Sequence, residues 1–346
     1  MQSRAFITSL AGPTLAADER SALREMAPWG LILFKRNIES PAQILALVES
    51  FRSTVGRSDA PVLIDQEGGR VQRLGAPHWP AYPPGAAYGR VYDREPEEGL
   101  RAARLGARLM AEDLRGIGIT VDCLPVADVP VAGADAVIGD RAYGDTPAKV
   151  SALAAAAAQG LADGAVLPVL KHIPGHGRAT LDSHKSLPVV TADRATLEAT
   201  DFAAFRPLAG LPMAMTAHVV FAAIDPVSPA TTSAMIVRDV IRRWIGFEGL
   251  LMSDDISMGA LSGSLRQRVR AALAAGCDVT LYCQGRLQDM EEIAAESPLL
   301  GGDAARRAQA ALAARGTPQE IDIVAAWAEF TALMSGVAPV GSRMAV

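Results

Sequence analysis

Ala165-Val166-Leu167-Pro168-Val169-Leu170-Lys171-His172-Ile173-Pro174-Gly175-His176-Gly177-Arg178-Ala179-Thr180-Leu181-Asp182-Ser183-His184 begins as an apolar run, stops at a lysine and a histidine, and passes into a loop. Such a continuous run is expected of a parallel strand covered on both faces, with Lys171 and His172 where the strand ends. Pro174, Gly175 and Gly177 exclude a helix beyond it, so His172 and His176 are not an i, i+4 pair on one helical face. Residues 171–184 hold three of the five histidines of the chain. That density at one strand end marks a built site.

The same pattern recurs outward from this stretch. Apolar runs at 5–10, 29–34, 61–66, 119–128, 165–172, 212–219, 249–254 and 277–283 predict eight strands. Helical patterns separate them. Ser40-Pro41 starts one, with Ile44, Leu47, Val48 and Phe51 on its apolar face, and Leu265, Val269 and Leu273 mark another that Gly276 can end. Eight strand–helix alternations within about 300 residues predict a single (β/α)8 TIM-type barrel rather than an open doubly wound sheet. No GxGxxG or GxxxxGK[ST] follows any strand, which removes the phosphate cradle of the nucleotide-binding alternatives. Residues 303–336 read as two closing helices, so the barrel unit is expected over 1–336 with a tail at 337–346. The Pro77–Pro84 stretch reads as a long surface loop.

With 346 residues, half of them apolar, the chain can bury a large core. A net charge of -5 and the lack of a basic run argue against a nucleic-acid surface. No apolar run reaches membrane-spanning length, so no membrane association is expected. Cys123, Cys277 and Cys283 have no CxxC spacing and fit reduced thiols of a cytoplasmic protein. Arg4 and the segment 5–17 loosely imitate a secretory leader, but Gly12 and Pro13 break it and 5–10 reads equally well as the first strand. A monomer is the expected state.

On a barrel, ionisable groups at the strand C-termini share one face, and that face carries the active site. Strand three ends in Asp65-Gln66-Glu67-Gly68-Gly69-Arg70 with Arg73 beyond, and strand four near Asp128. Strand five ends in Lys171-His172, strand six at His218 and strand seven at Asp254-Asp255. Any one of these could be a helix cap or an ion pair. A carboxylate at the mouth facing a loop that carries a proton donor suits double displacement at the anomeric carbon of a sugar. Asp254 and Asp255 point to opposite sides of a strand, and alternation alone does not choose between them. His184 has an ordinary pKa of ~6.5, suited to proton transfer near neutral pH, and Asp182 can fix its tautomer. A rival reading joins His172, His176, His184, Asp182 and Asp254 in a metal-dependent hydrolase. Their spacing matches no zinc pattern, so neither a metal nor an organic cofactor is expected. A sugar-binding barrel without catalysis is the other alternative, though a pure binder has no need of a nucleophile and a proton shuttle together.

Three signatures, IDQEGGRVQRL at 64–74, KHIPGHGRATLDSHKSLP at 171–188 and SDDISMGA at 253–260, resemble glycoside hydrolase family 3, and within it the short single-barrel β-N-acetylglucosaminidases. The resemblance covers about 5–300. It implies Asp254 as nucleophile, His184 as acid/base and Asp182 as its orienting partner. Asp65, Arg73, Arg141, Lys171 and His172 fall on sugar-binding positions, and His176 on a histidine that organises the loop. Larger family members take an acid/base glutamate from a second domain, for which this chain has no room beside a full barrel. The implied substrate is the cytosolic fragment GlcNAc-1,6-anhydroMurNAc, with or without its stem peptide, and the implied role is peptidoglycan recycling. Arg178 and Ile173 depart from residues common in relatives, and both are assigned to the loop after strand five. Gly175 and Gly177 are expected to let that loop move.

Overall fold

All eight expected strands form, and they close on one another. The computed structural model describes residues 2–183 and 186–337. Its barrel strands are β1 (Arg4–Thr8), β2 (Pro28–Leu33), β3 (Val62–Ile64), β4 (Val121–Asp122), β5 (Leu167–Ile173), β6 (Met213–Thr216), β7 (Leu250–Asp255) and β8 (Val279–Leu281). Each pairs in parallel with its chain neighbours, and β8 returns to β1, so no barrel edge is left open.

The covering layer follows the chain order. Helix α1 (Ala17–Met26) and α2 (Pro41–Val55) cross between the first three strands, while α3 (Gly85–Arg94) and α4 (Pro96–Arg115) both lie between β3 and β4. Helix α5 (Pro147–Asp163) precedes β5, and the short α6 (Arg194–Ala199) precedes β6. A π-type helix, Ile236–Ile245, stands in the crossover from β6 to β7, and α7 (Leu265–Ala275) leads into β8. The chain closes with α8 (Leu287–Glu296), α9 (Gly302–Ala313) and α10 (Ile323–Leu333). The expected starts and stops hold: Ser40 accepts a bond from the Gln43 amide, and Gly276 ends α7 at φ 112°.

Alternation along the strands builds two cores. Leu63, Val121, Leu167, Val169, Met215, Leu250 and Met252 fill the barrel interior, whereas Leu31, Leu33, Ile64, Leu170 and Leu251 face the helices with Phe51, Leu109 and Phe202. Two expectations change. Residues 77–84 are a surface loop only in part: Pro77, His78 and Ala81 are exposed, but Trp79 and Tyr82 are buried and the Tyr82 hydroxyl donates to Asp113 at 2.7 Å. This segment backs the hairpin that follows β3. Gly69 donates its amide to the Tyr82 carbonyl, and a Cβ at Gly68 (φ +95°) would lie 2.2 Å from the Pro83 oxygen. Ile173 is the last residue of β5 and fully buried, so it belongs to the strand rather than to the loop. Val337, the first residue of the expected tail, has its carbonyl bonded by Arg90, while residues 338–346 lie outside the described residues.

Candidate active site

Three inward rows of barrel side chains end, at the C-terminal mouth, in a charged group. Leu63 is followed two positions on by Asp65, Val169 by Lys171 and Met252 by Asp254, and all three line one cavity of roughly 380 Å³. Ile32, Phe34, Met215 and Leu281 supply its apolar wall, and Arg73, Arg141 and His172 reach it from the strand ends and loops. Of the expected sugar-binding residues, all five therefore meet in one place.

Charge pairing explains why this layer is stable. Asp65 accepts from Arg73 Nη2 at 2.9 Å and from Lys171 Nζ at 3.0 Å. Burial works against ionisation of Asp65, but Lys171 and Arg73 outweigh it and hold the carboxyl well below the usual aspartate range. Glu67 takes a two-pronged bond from Arg141, at 2.8 and 2.7 Å, and lies 2.6 Å from Lys171 Nζ. Against burial, these cations bring its pKa to about 2. Burial likewise opposes the charge on Lys171, yet Asp65 and Glu67 raise its pKa above the ordinary lysine value. Glu67 was legible only as part of the motif at 64–74; its pairing partners are 74 and 104 residues away in sequence (141 − 67 and 171 − 67).

Lys171→Met is expected to destabilise the protein by about 3–5 kcal/mol at pH 7, because the buried Glu67 and the largely buried Asp65 lose their shared cation. The folded pKa values of Asp65 and Glu67 are depressed, so their contribution is present above the unfolded value of ~4 and is lost as pH falls toward about 2. The gap between wild type and variant in denaturant titrations should shrink over that window. A gap that stays constant from pH 7 to pH 2.5 would show that charge pairing is not its source.

Asp254 and Asp255 part company in their surroundings. Asp255 is buried, and its carboxylate accepts from Ser257 N at 3.0 Å, Ser257 Oγ at 2.6 Å, Cys283 N at 3.2 Å and Gln284 Nε2 at 3.3 Å. Those bonds tie the mouth of β7 to that of β8. Asp254 continues the inward row, is only partly buried, and accepts the Asp255 amide at 2.7 Å. His218, also expected at the mouth, is a satisfied core histidine, bonded to Thr231 Oγ1 at 2.7 Å and the Asp255 carbonyl at 2.9 Å.

Asp128 organises the opposite side. One carboxylate oxygen faces His172 Nδ1 at 2.7 Å, and the other accepts the His176 amide at 2.7 Å. Burial raises its pKa, but the facing histidines and amide hold it below the ordinary aspartate value. The rings of His172 and His176 meet edge to face at 5.6 Å although no helix joins them. Gly175 (φ +141°) and Gly177 serve close packing here: a Cβ on Gly177 would lie 2.2 Å from the Val129 carbonyl oxygen. Arg178 binds Asp201 Oδ2 at 3.0 Å and Thr200 Oγ1 at 3.0 Å, which pins the start of the loop.

His184 lies outside the described residues. Its neighbours show where the loop runs. Asp182 is half-buried, Ser183 is buried, His176 Nε2 lies 2.9 Å from Ser183 Oγ, and the Ser183 carbonyl accepts the Ala260 amide at 3.2 Å from the segment after β7. The loop is thus tied to the segment that follows Asp254. Among the described residues no group of three or more His, Cys, Asp or Glu could hold a metal ion, and no helix is long and apolar enough to cross a membrane.

Residues 7–299 match the model of the glycosyl hydrolase family 3 N-terminal domain. A β-hexosaminidase of Alkalilimnicola ehrlichii is 41% identical over 284 residues, 80% of each chain. One of Methylococcus capsulatus is 42% identical over 278 residues, 79% of this chain and 81% of that one. Among solved structures, native NagZ from Neisseria gonorrhoeae superposes with a TM-score of 0.86 at 32% identity, covering 97% of this chain and 99% of that chain. The same protein in complex with N-trifluoroacetyl-D-glucosamine gives a TM-score of 0.84 at 31% identity, covering 97% and 98%.

Proposed function

The chain belongs to glycosyl hydrolase family 3 and is a glycoside hydrolase of the β-hexosaminidase type, and from that premise we propose that it is a retaining exo-β-N-acetylglucosaminidase. Its substrate is GlcNAc-1,6-anhydroMurNAc, with or without stem peptide, cleaved by a cytoplasmic monomer in peptidoglycan recycling. Residues 1–336 act as one catalytic unit and 337–346 as a tail. The observation that carries the reading is Asp254 at the end of an inward barrel row, sharing one cavity of roughly 380 Å³ with Asp65, Arg73, Arg141, Lys171 and His172.

Each group has a task in the proposed cycle. Lys171, Asp65, Arg73, Arg141 and His172 present donors and acceptors to the sugar hydroxyls, held in fixed directions by the pairing described above. Asp254 attacks the anomeric carbon while His184, oriented by Asp182, gives its proton to the departing oxygen. A glycosyl ester on Asp254 results. His184 then takes a proton from water, which displaces Asp254 and returns the original anomeric configuration. With its carboxylates ionised, the cavity lining together with the adjoining Glu67 carries four carboxylates (Asp65, Glu67, Asp254, Asp255) against four cations (Arg70, Arg73, Arg141, Lys171). A neutral donor sugar fits that balance. The Neisseria protein's complex with N-trifluoroacetyl-D-glucosamine supports an N-acylated glucosamine as the ligand.

The test is nitrophenol release from 4-nitrophenyl β-N-acetylglucosaminide beside the β-glucoside, with and without EDTA. Turnover confined to the N-acetyl sugar and indifferent to EDTA is the expected result. Loss of activity in EDTA would return the metal hydrolase to first place, and silence on both sugars from folded protein would favour the binding barrel.

A further inference from the structure

Ser183 stands between Asp182 and His184 in the chain, and it is the buried residue among those described at 180–183 and 186–187. Thr180 and Leu181 are exposed, and Asp182, Ser186 and Leu187 are half-buried, whereas Ser183 is 2% exposed. Two bonds hold it from different elements: Oγ meets His176 Nε2 at 2.9 Å, and its carbonyl accepts the Ala260 amide at 3.2 Å. His176 is fixed in turn, since its amide donates to Asp128 at 2.7 Å and its ring abuts that of His172. The other oxygen of Asp128 holds His172 Nδ1 at 2.7 Å. One carboxylate therefore fixes both a cavity-lining histidine and the imidazole on which Ser183 rests.

We propose that Ser183 is a positioning residue: its hydroxyl, docked on His176, sets where the flanking Asp182 and His184 are presented to the leaving group. Asp128 links that anchor to His172, so the sugar-facing wall and the proton-transfer loop share one reference. The His176 imidazole is suited to this work because it is uncharged at working pH; burial first, and then neighbouring His172, bring its pKa down to about 4. Among the described residues His176 Nδ1 is buried without a hydrogen-bond partner, so the one hydrogen bond of the ring there is the one to Ser183. The proposal rests on the reading of Asp182 and His184 as the proton-transfer pair. It assigns no chemistry to Ser183 itself.

The experiment compares kcat/KM, which reports the steps through formation of the glycosyl-enzyme, on an alkyl β-N-acetylglucosaminide and on the 4-nitrophenyl glycoside. Ser183→Ala in the full chain should lose roughly tenfold or more on the alkyl substrate, since misplacement of an acid by about 1 Å removes much of its effect. It should lose no more than about threefold on the nitrophenyl substrate, which needs little protonation. Ser183→Thr, which keeps the hydroxyl, should restore most of the alkyl activity. His176→Phe approaches the same bond from the other side and should reproduce the leaving-group signature. Equal losses on both substrates, or none, in whichever of Ser183→Ala and His176→Phe folds would overturn the proposal. His184→Ala run in parallel separates the two failures. If it shows the leaving-group dependence and Ser183→Ala does not, the anchor is wrong and the acid stands; if neither shows it, the acid assignment is what has failed.

Discussion

Asp254→Ala is expected to lower kcat/KM on the nitrophenyl glycoside on the order of 10⁴-fold or more, the scale seen when a member of a catalytic nucleophile unit is removed. The fold should survive. Asp254 is partly exposed at the mouth, where it accepts the adjacent Asp255 amide, so its loss opens no hole in the barrel interior. Asp255→Ala should behave in the opposite way. Its carboxylate ties Ser257, Cys283 and Gln284 together, so that variant should lose melting temperature along with activity. A small nucleophile such as azide, entering the space left by the Asp254 carboxylate, should restore turnover in Asp254→Ala and give the inverted glycosyl azide. Substantial hydrolysis by Asp254→Ala without azide would contradict the assignment.

His184→Ala is expected to reduce kcat/KM about 10²–10⁴-fold on substrates with poor leaving groups, the usual contribution of a positioned general acid. Nitrophenyl glycosides should suffer far less in the first step. Their second step still needs a base to activate water, so the glycosyl-enzyme should accumulate and release of nitrophenol should show a burst. Asp182→Asn should give a milder version of the same pattern, because the imidazole remains but its tautomer is no longer set by a carboxylate. A uniform loss across leaving groups in both variants would point to binding rather than proton transfer.

The barrel was readable because its strands are continuous apolar runs that end at polar residues. Once Met252 and Val169 are known to point inward, period-two alternation carries the inward rows to Asp254 and Lys171. Alternation alone does not say which parity faces in, so it leaves Asp254 and Asp255 equivalent, and only the family motif distinguishes them. Other features depend on chain closure. Glu67 gains meaning only when Arg141 and Lys171 arrive from later in the chain, and Tyr82, Pro83 and Pro84 back the hairpin because Gly68 and Gly69 press against them. His218 sat at the right strand end and yet is consumed by Thr231 and a backbone carbonyl. The tie between His176 and Ser183 follows from the course of a loop, for which local propensity gives no signal.

The most direct measurement is to trap the enzyme with a slow-releasing fluorinated N-acetylglucosaminide and locate the adduct by peptide mass spectrometry. The mechanism predicts one sugar equivalent on Asp254, in the peptide that contains Ser253-Asp254-Asp255. Finding the sugar on a different residue, or finding that the enzyme turns over with inversion and forms no adduct, would contradict it.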